Sequence, residues 1–526
     1  MRSPARRWCD VSPAAFEPLE PRLALAADFV VTLGSVVNGF ERKADAEMIR
    51  VTATIQNLGD VAARGGASLE FYLSTNPEFD DNDALFEVRR LGRLPMPGQT
   101  TVVTLGVTEP TLVDPPAPYR AVDPGDYYVI ARLVLDQPSQ EPNRANNIAD
   151  GDGTVNIAYE FGFLNGKNRP FSWTQPDGSK VTLKFDGQGQ GNLNRTDNGI
   201  NMVVTSARVN TSLLISTTRR APVRFSQIIL PAGLDNLRAP NVTLTGLVSI
   251  QSIATNITLG GITRGSISIT GFARHITLSL GEVTDTVVTS TVPISSLGVK
   301  FWRNTDSAPD FVRAPYIERL TSGGDFAPSI TASSSNSKGY GLEKVKIKGE
   351  VSGVWSVAGS SSLIDVGSTA ASFRAGFLGI IDIFRTKNDM RGLLAGSLIE
   401  KIDIGRDLIS AQILSGYSLG ADLQIGGTGA NADQFRNGII DRLIIGGRMT
   451  NSIVAAGLVT SDAVLLNGDD GFVANPPGAR IFRIDIRKGM QNSFVLAPTL
   501  PATARVGFGT IDITDDPRFI TELPLP

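Results

Sequence analysis

Apolar and polar positions alternate along most of this chain with the period of two that buries one face of a strand. The clearest alternations belong to a phrase that returns. It reads Leu342-Glu343-Lys344-Val345-Lys346-Ile347, then Ile399-Glu400-Lys401-Ile402-Asp403-Ile404-Gly405. It comes again as Ile440-Asp441-Arg442-Leu443-Ile444-Ile445-Gly446 and as Ile481-Phe482-Arg483-Ile484-Asp485-Ile486. The later copies start roughly forty residues apart, about twice a twenty-residue unit, which is the range of stacked-coil proteins. Glycine often follows, where the chain turns a corner with no room for a Cβ. The pattern predicts a β-solenoid.

Shorter runs precede it. Phe29 to Leu33, Ile49 to Ile55, Leu69 to Leu73, Thr101 to Leu105 and Tyr127 to Leu135 read as strands between turns, which suits an immunoglobulin-like β-sandwich over 28–157. Residues 158–191 read as a junction and lead-in hairpin, with Asp177-Gly178 as its turn between Trp173 and Phe185. The glycines Gly187, Gly189 and Gly191 precede no helix, so they make no phosphate cradle. The solenoid is expected over 192–515, with a tail at 516–526. At roughly 22 residues per coil that is on the order of 14 coils and, at ~4.8 Å each, a rod of roughly 70 Å. The expected fold class is all-β: a sandwich followed by a parallel β-helix.

Composition narrows the chemistry. The 526 residues carry 41% hydrophobic side chains and a formal net charge of −3, so a folded core is affordable and no basic surface for nucleic acid stands out. No apolar run reaches the roughly eighteen residues of a membrane span. Cys9 is the only cysteine and His275 the only histidine, which leaves no disulfide framework and no multi-histidine metal site. No cofactor is expected. Residues 1–27 read as an export leader: Arg2, Arg6 and Arg7 open it, Leu23 to Ala27 offer small residues, and prolines and glutamates interrupt any apolar core.

Several of these strings resemble known families. Phe16-Glu17-Pro18-Leu19-Glu20-Pro21-Arg22-Leu23 resembles the Leu-Glu-Pro-Arg sorting segment of large exported planctomycete proteins, with Ala24-Leu25 where that family has a leucine pair. Val51 to Gly59, Phe71 to Ser74, Pro124 to Tyr128 and Glu141 to Asn147 resemble, in order, the bacterial cell-adhesion-related (CARDB) sandwich module. Asp177 to Gly191, the Asn256 to Gly281 coils, Gly353 to Val357, Gly367 to Ala370 and Gly426 to Asp433 resemble the solenoid region of the same exported proteins. These resemblances imply an extracellular or cell-surface place and an adhesive or structural role, with no catalytic residues to carry over.

Candidate sites are few. Asp80, Asp81 and Asp83 crowd hard oxygen ligands in one loop, which suits calcium; a solvated Asx-rich turn explains the same residues. The Asn467-to-Gly471 loop poses the same choice, with the turn ahead. Asp382, Asp403 and Asp485, with Asp365 and Asp441 beside them, are expected to point outward and line one face of the coils. Such a stripe either binds saccharide, works as the carboxylate set of a polysaccharide lyase or glycosidase, or is a solvated face in which Lys344, Lys346, Lys401, Arg442 and Arg483 balance the charge. Trp302, Trp355, Tyr316 and Tyr417 are candidate sugar-stacking platforms, Trp355 reading also as a core filler. The reading is a non-catalytic exported protein whose partners are polysaccharides or other surface proteins, with a polysaccharide-active β-helix enzyme as the alternative. A self-assembling coat is a third reading. No carboxy-terminal anchor is read after Asp515.

Overall fold

A computed structural model of the chain describes residues 26–523 apart from 42–45, 109–111, 114, 116, 139–140, 165, 176, 197–198, 209, 219–221, 468, 474–477 and 515. Nearly all of the leader segment lies outside the described residues. The regular structure is strand almost throughout, without an α-helix among the described residues, and so without a helix long and apolar enough to cross a membrane.

The first seven strands are β1 (Phe29–Glu41), β2 (Ala46–Asn57), β3 (Ala67–Ser74), β4 (Ala84–Leu91), β5 (Thr100–Thr108), β6 (Gly125–Leu135) and β7 (Ile148–Ile157). They form two antiparallel sheets, β1-β2-β5 and β4-β3-β6-β7. Alternate residues Ile49, Val51, Ala53 and Ile55 of one sheet and Leu69, Phe71 and Leu73 of the other are buried, as a two-layer sandwich requires. Ala27 is buried with them. The polar strings between strands are staples. The Asn57 amide donates to the carbonyls of Val61 and Pro95, and its oxygen accepts from Gly59 N. Gly59 is required because a Cβ there would lie 2.2 Å from the Ala26 carbonyl. Glu141 is fully buried and accepts from Phe29 N and from Asn147 Nδ2, both at 2.6 Å.

Two residues past β7, Tyr159 ties the halves together: its hydroxyl donates to the Val122 carbonyl at 2.7 Å, and its ring meets Phe171 edge-on. The expected hairpin follows, with Phe171–Thr174 antiparallel to Lys180–Asp186 and Trp173 opposite Val181. Antiparallel pairs continue to Ser212–Thr217 and close the end of the solenoid, which protects an otherwise open strand ladder.

Parallel pairing then takes over for about 15 turns. One column of inward residues runs Leu213, Leu237, Ile257, Leu278, Leu297, Leu320, Val345, Ile364, Phe384, Ile402, Leu443 and Ile484, each paired to the next. A second runs from Ile228 through Val248, Ile267, Val288, Val312, Ile330, Trp355, Ala375, Leu394, Ile413, Val454 and Val495 to Phe519. A third, shorter column passes from Leu244 through Ile262, Val283, Trp302 and Phe326 to Val351. The coil is therefore three-sided over its middle, and every side delivers at least one apolar residue per turn to the axis.

The forty-residue spacing has a different cause from the one the repeat suggests. Ile402 pairs directly with Leu443, and Leu443 with Ile484, so each copy is one coil and not two. The additional chain leaves the coil sideways. Tyr417–Ser418 pairs antiparallel with Gln434–Phe435, and Leu458–Val459 with Gly471–Phe472. These side hairpins cover a second apolar cluster built on Leu393, Leu414, Ala455 and Leu496. Asp433 holds the first hairpin, accepting from the Tyr417 hydroxyl at 2.7 Å, from Gly420 N at 2.9 Å and from Gly426 N at 2.6 Å. Burial, then this carboxylate, push the Tyr417 hydroxyl well above its ordinary value. At the corner after the coil's bend, Ser410, Asn451 and Asn492 repeat the left-handed conformation one above another.

Aromatic rings fill the middle of the axis. Trp302, Phe326, Trp355 and Phe373 meet edge to face in series, at 5.8, 6.4 and 5.4 Å between centroids. The Trp302 indole N–H donates to Asp310 Oδ2 at 2.9 Å, and burial pushes the Asp310 carboxyl from 3.8 up to about 6. The folded chain thus holds a proton that the unfolded chain releases between those values. Asp310 contributes stability that is fully present below its unfolded pKa and is lost as pH rises through about 6. Thermal midpoints measured from pH 4.5 to 7.5 are expected to carry this falling component, and D310N is expected to flatten it; parallel profiles for the two proteins contradict the assignment.

Candidate charged face and groove

On four coils an acid and then a base stand ahead of the inward aliphatic (Leu320, Val345, Ile402 and Leu443), and the coil-to-coil register turns this order into columns. Glu318, Glu343, Ser362, Asp382, Glu400 and Asp441 occupy one position on successive coils, ending at Phe482. One residue on, Arg319, Lys344, Leu363, Ile383, Lys401, Arg442 and Arg483 occupy the next. Two residues further, past the buried aliphatic, Lys346, Asp365, Arg385, Asp403, Ile444, Asp485 and Arg505 form a third.

The columns differ in kind. The third alternates in sign from Lys346 to Asp403, as cross-strand electrostatics favours, with Arg385 Nε 3.5 Å from Asp403 Oδ2. The first stacks like on like. Carboxylates one coil apart repel by about 1 kcal/mol at the dielectric of water, an amount the adjacent basic column offsets. Asp382 lies above the ordinary carboxylate range because it is partly buried, with Lys401 and the Tyr340 hydroxyl opposing that shift.

The three aspartates expected to form one stripe are thus placed apart. Asp382 belongs to the acidic column and Asp403 to the alternating one, where Ile444 separates it from Asp485. Asp485 is not exposed: it is 5% accessible, with Arg487 and Arg505 each 3.9 Å from its carboxylate. All of Ile484–Ile486 is buried, so the period of two does not decide here which side chain faces water. Two sugar-platform candidates, Trp302 and Trp355, are wholly buried and Tyr417 is 1% exposed, so none of the three offers a face to a ligand.

Asp80, Asp81 and Asp83 form a tight turn. Asp83 Oδ2 accepts from Asp80 N at 2.9 Å, and Asp80 Oδ1 from Asn82 N at 2.6 Å. Two of the three carboxylates are thereby committed to backbone donors, and no group of three metal-ligating side chains is found among the described residues. In the Asn467-to-Gly471 loop, Asp470 likewise accepts from the amides of Leu466 and Asn467.

The acidic and basic columns open at their upper end into a groove of ≈ 490 Å³. Its floor is Tyr316, Glu318, Arg319, Glu343 and Lys344, its far wall Arg274, His275 and Ser295, and its rim the loop carrying Asn336 and Lys338. Ser295 enters because the pairing slips by one residue between Ile276 and Thr277. Glu343 is held from the rim: Asn336 Nδ2 donates to it at 3.1 Å and Lys338 Nζ lies 3.9 Å away. His275 and Tyr316 stand edge to face at 6.3 Å, and His275 Nδ1 is buried without a hydrogen-bond partner. The sequence offers Tyr316 as a sugar-stacking platform and His275 only as the single histidine, with no shared motif to join them. The signal that joins them is positional: each stands one residue before a strand, Ile276–Thr284 and Ile317–Ser322, that belongs to the same column.

No family model matches the chain, and no curated protein does. Among solved structures, a quarter of the chain (25%) is similar to the CARDB domain of a Pyrococcus furiosus protein in complex with di-metal ions, at 16% identity over 96% of that domain and a TM-score of 0.16. A share of 25% is similar to a beta-glucosidase from Kluyveromyces marxianus, at 14% identity, 14% of that chain and a TM-score of 0.17. The same share is similar to beta-glucosidase 3B from Thermotoga neapolitana in complex with glucose, at 21% identity, 16% of that chain and a TM-score of 0.17. The chain therefore spans only a small part of either glucosidase.

The alternating column yields a stability test. R385E sets three carboxylates in a row with Asp365 and Asp403, and is expected to lower stability by about 1 kcal/mol at low salt and by less at 1 M salt. Denaturant unfolding at the two ionic strengths measures this. A loss independent of salt places the effect in packing and not in the column's charge.

Proposed function

We propose that the chain is a surface or matrix protein placed outside the cell, in which the sandwich spaces or docks and the solenoid presents a repeating binding face to polysaccharide. The observation that carries this reading is the register itself. It stacks an acid-then-base pair on neighbouring coils twice, Glu318-Arg319 over Glu343-Lys344 and Glu400-Lys401 over Asp441-Arg442, about 4.8 Å apart within each set, so a polymer lying along the rod meets the same chemistry in two places. Weak contacts repeated along the rod suit retention of a polymer better than chemistry at one bond.

A second reading, cleavage of the bound polymer, draws on one feature. Glu318 and Glu343 are coil neighbours inside a groove, as paired carboxylates of glycosidases are. Against it, Glu343 already accepts from Asn336 Nδ2 at 3.1 Å and has Lys338 Nζ 3.9 Å away, so its carboxyl group is engaged at the rim and not free to meet a glycosidic bond.

Overnight incubation of the full chain with acidic and with neutral polysaccharides, followed by size exclusion, separates these. Polymer of unchanged length that co-elutes with the protein is the expected result. Shortened polymer moves the reading to an enzyme, and unchanged polymer without co-elution overturns glycan binding.

A further inference from the structure

The groove at the upper end of the charged face differs from the face below it. Along the face, Glu400 and Asp441 stand beside Lys401 and Arg442 and balance. In the groove that balance is broken, because the rim and the far wall add cations from outside the columns. Arg274, Arg319, Lys338 and Lys344 face two carboxylates, Glu318 and Glu343, and Lys338 is already spent on Glu343. The side chains of Arg274, Arg319 and Lys344 make no ion pair or hydrogen bond and are exposed. Glu318 is half-buried and makes neither as well.

We propose that this groove binds a short segment of a carboxylated glycan, a uronic-acid oligosaccharide. The inference rests on the polysaccharide-binding reading and names its ligand class and its seat. Three free cations around one free carboxylate call for a ligand that carries negative charge and also hydroxyl donors. A uronate unit has both on one ring: its carboxylate meets the guanidinium of Arg274 or Arg319, which offers paired donors to a planar carboxylate. Its hydroxyls donate to Glu318. A phosphate or sulfate cluster would instead bring dense charge against Glu318 with no donor for it.

The walls fit the same ligand. Tyr316 presents a ring that is half-exposed, with His275 set edge-on behind it, so a sugar's apolar face has one place to lie. The lining residues come from four successive coils, through the steps from His275 to Ser295, Tyr316 and Glu343, a run of about 14 Å along the rod at coil spacing. That is an elongated seat, parallel to the direction in which a polymer would lie on the face. The groove therefore fixes a chain by one charged segment, and the balanced columns below it carry the remainder.

Titration calorimetry of the full chain with trigalacturonate and with the neutral galactose trimer tests this. Binding of the acidic trimer and none of the neutral one is expected. R274E, which changes the groove but no column, is expected to weaken binding by about tenfold or more, and the pair K401A/R442A, which changes the columns but not the groove, by less than about twofold. Arg274 is exposed and Lys401 and Arg442 are half-buried, so thermal midpoints equal to that of the parent chain are required to confirm folding. Equal binding of the two trimers, or binding unchanged in R274E, overturns the proposal. If the acidic trimer fails to bind while long polymers still co-elute with the protein, the groove assignment falls and the polysaccharide-binding reading stands. If neither binds, both fall.

Discussion

Coil-to-coil register is the constraint on which the rest of this structure depends. A strand in the solenoid has no hairpin partner of its own and buries its Ile, Val or Leu only when the coils above and below put theirs in line. The column from Leu213 to Ile484 does this through twelve buried side chains without a break in pairing. A slip of one residue anywhere along it would turn an aliphatic outward and a charge inward. The apolar ladder therefore sets the outer surface as firmly as it sets the core. Whatever stands one or two places before the aliphatic on one coil stands above its counterpart on the next.

That coupling explains an arrangement that pairwise electrostatics alone would not select. Glu343, Asp382, Glu400 and Asp441 share a column although opposite charges would stack better, because the core holds them there and the basic column beside them offsets the repulsion. Where the surface is free of a second column, signs alternate, as from Lys346 to Asp403. The side hairpins at Tyr417 and Leu458 leave the coil from a different side, over Leu414 and Ala455, so chain is inserted without breaking the columns. The result is a face whose order survives insertions of about twenty residues, which is what a repeating contact surface needs.

Much of the fold was legible in the chain. The strand alternations of 29–33, 49–55, 69–73, 101–105 and 127–135 each fall within a sandwich strand, and Asp177-Gly178 sits at a hairpin turn. Period-two patterning suffices there because one face of each strand is buried and the other wet. Three things were not legible. The spacing of the phrases gave no sign that Ile402 and Leu443 are neighbours, since a side hairpin and a second coil add the same length of chain. The burial of Asp485 falls where the strands shorten to two or three residues, so alternation carries little information. The groove gathers Arg274, Tyr316 and Glu343 from coils spread over some seventy residues. No local motif records that proximity, and only the column register brings it out.

The direct test of register is a pair of cysteines at Lys401 and Arg442, in a chain whose only native cysteine, Cys9, is replaced by serine. Neighbouring coils put the two Cα atoms about 4.8 Å apart, within the range a disulfide spans, whereas an intervening coil would separate them by roughly twice that. Mild oxidation is expected to give a monomeric, cross-linked chain in high yield with the thermal midpoint preserved. Two free thiols after oxidation of the folded protein would contradict the register, and with it the charged columns and the groove built on them.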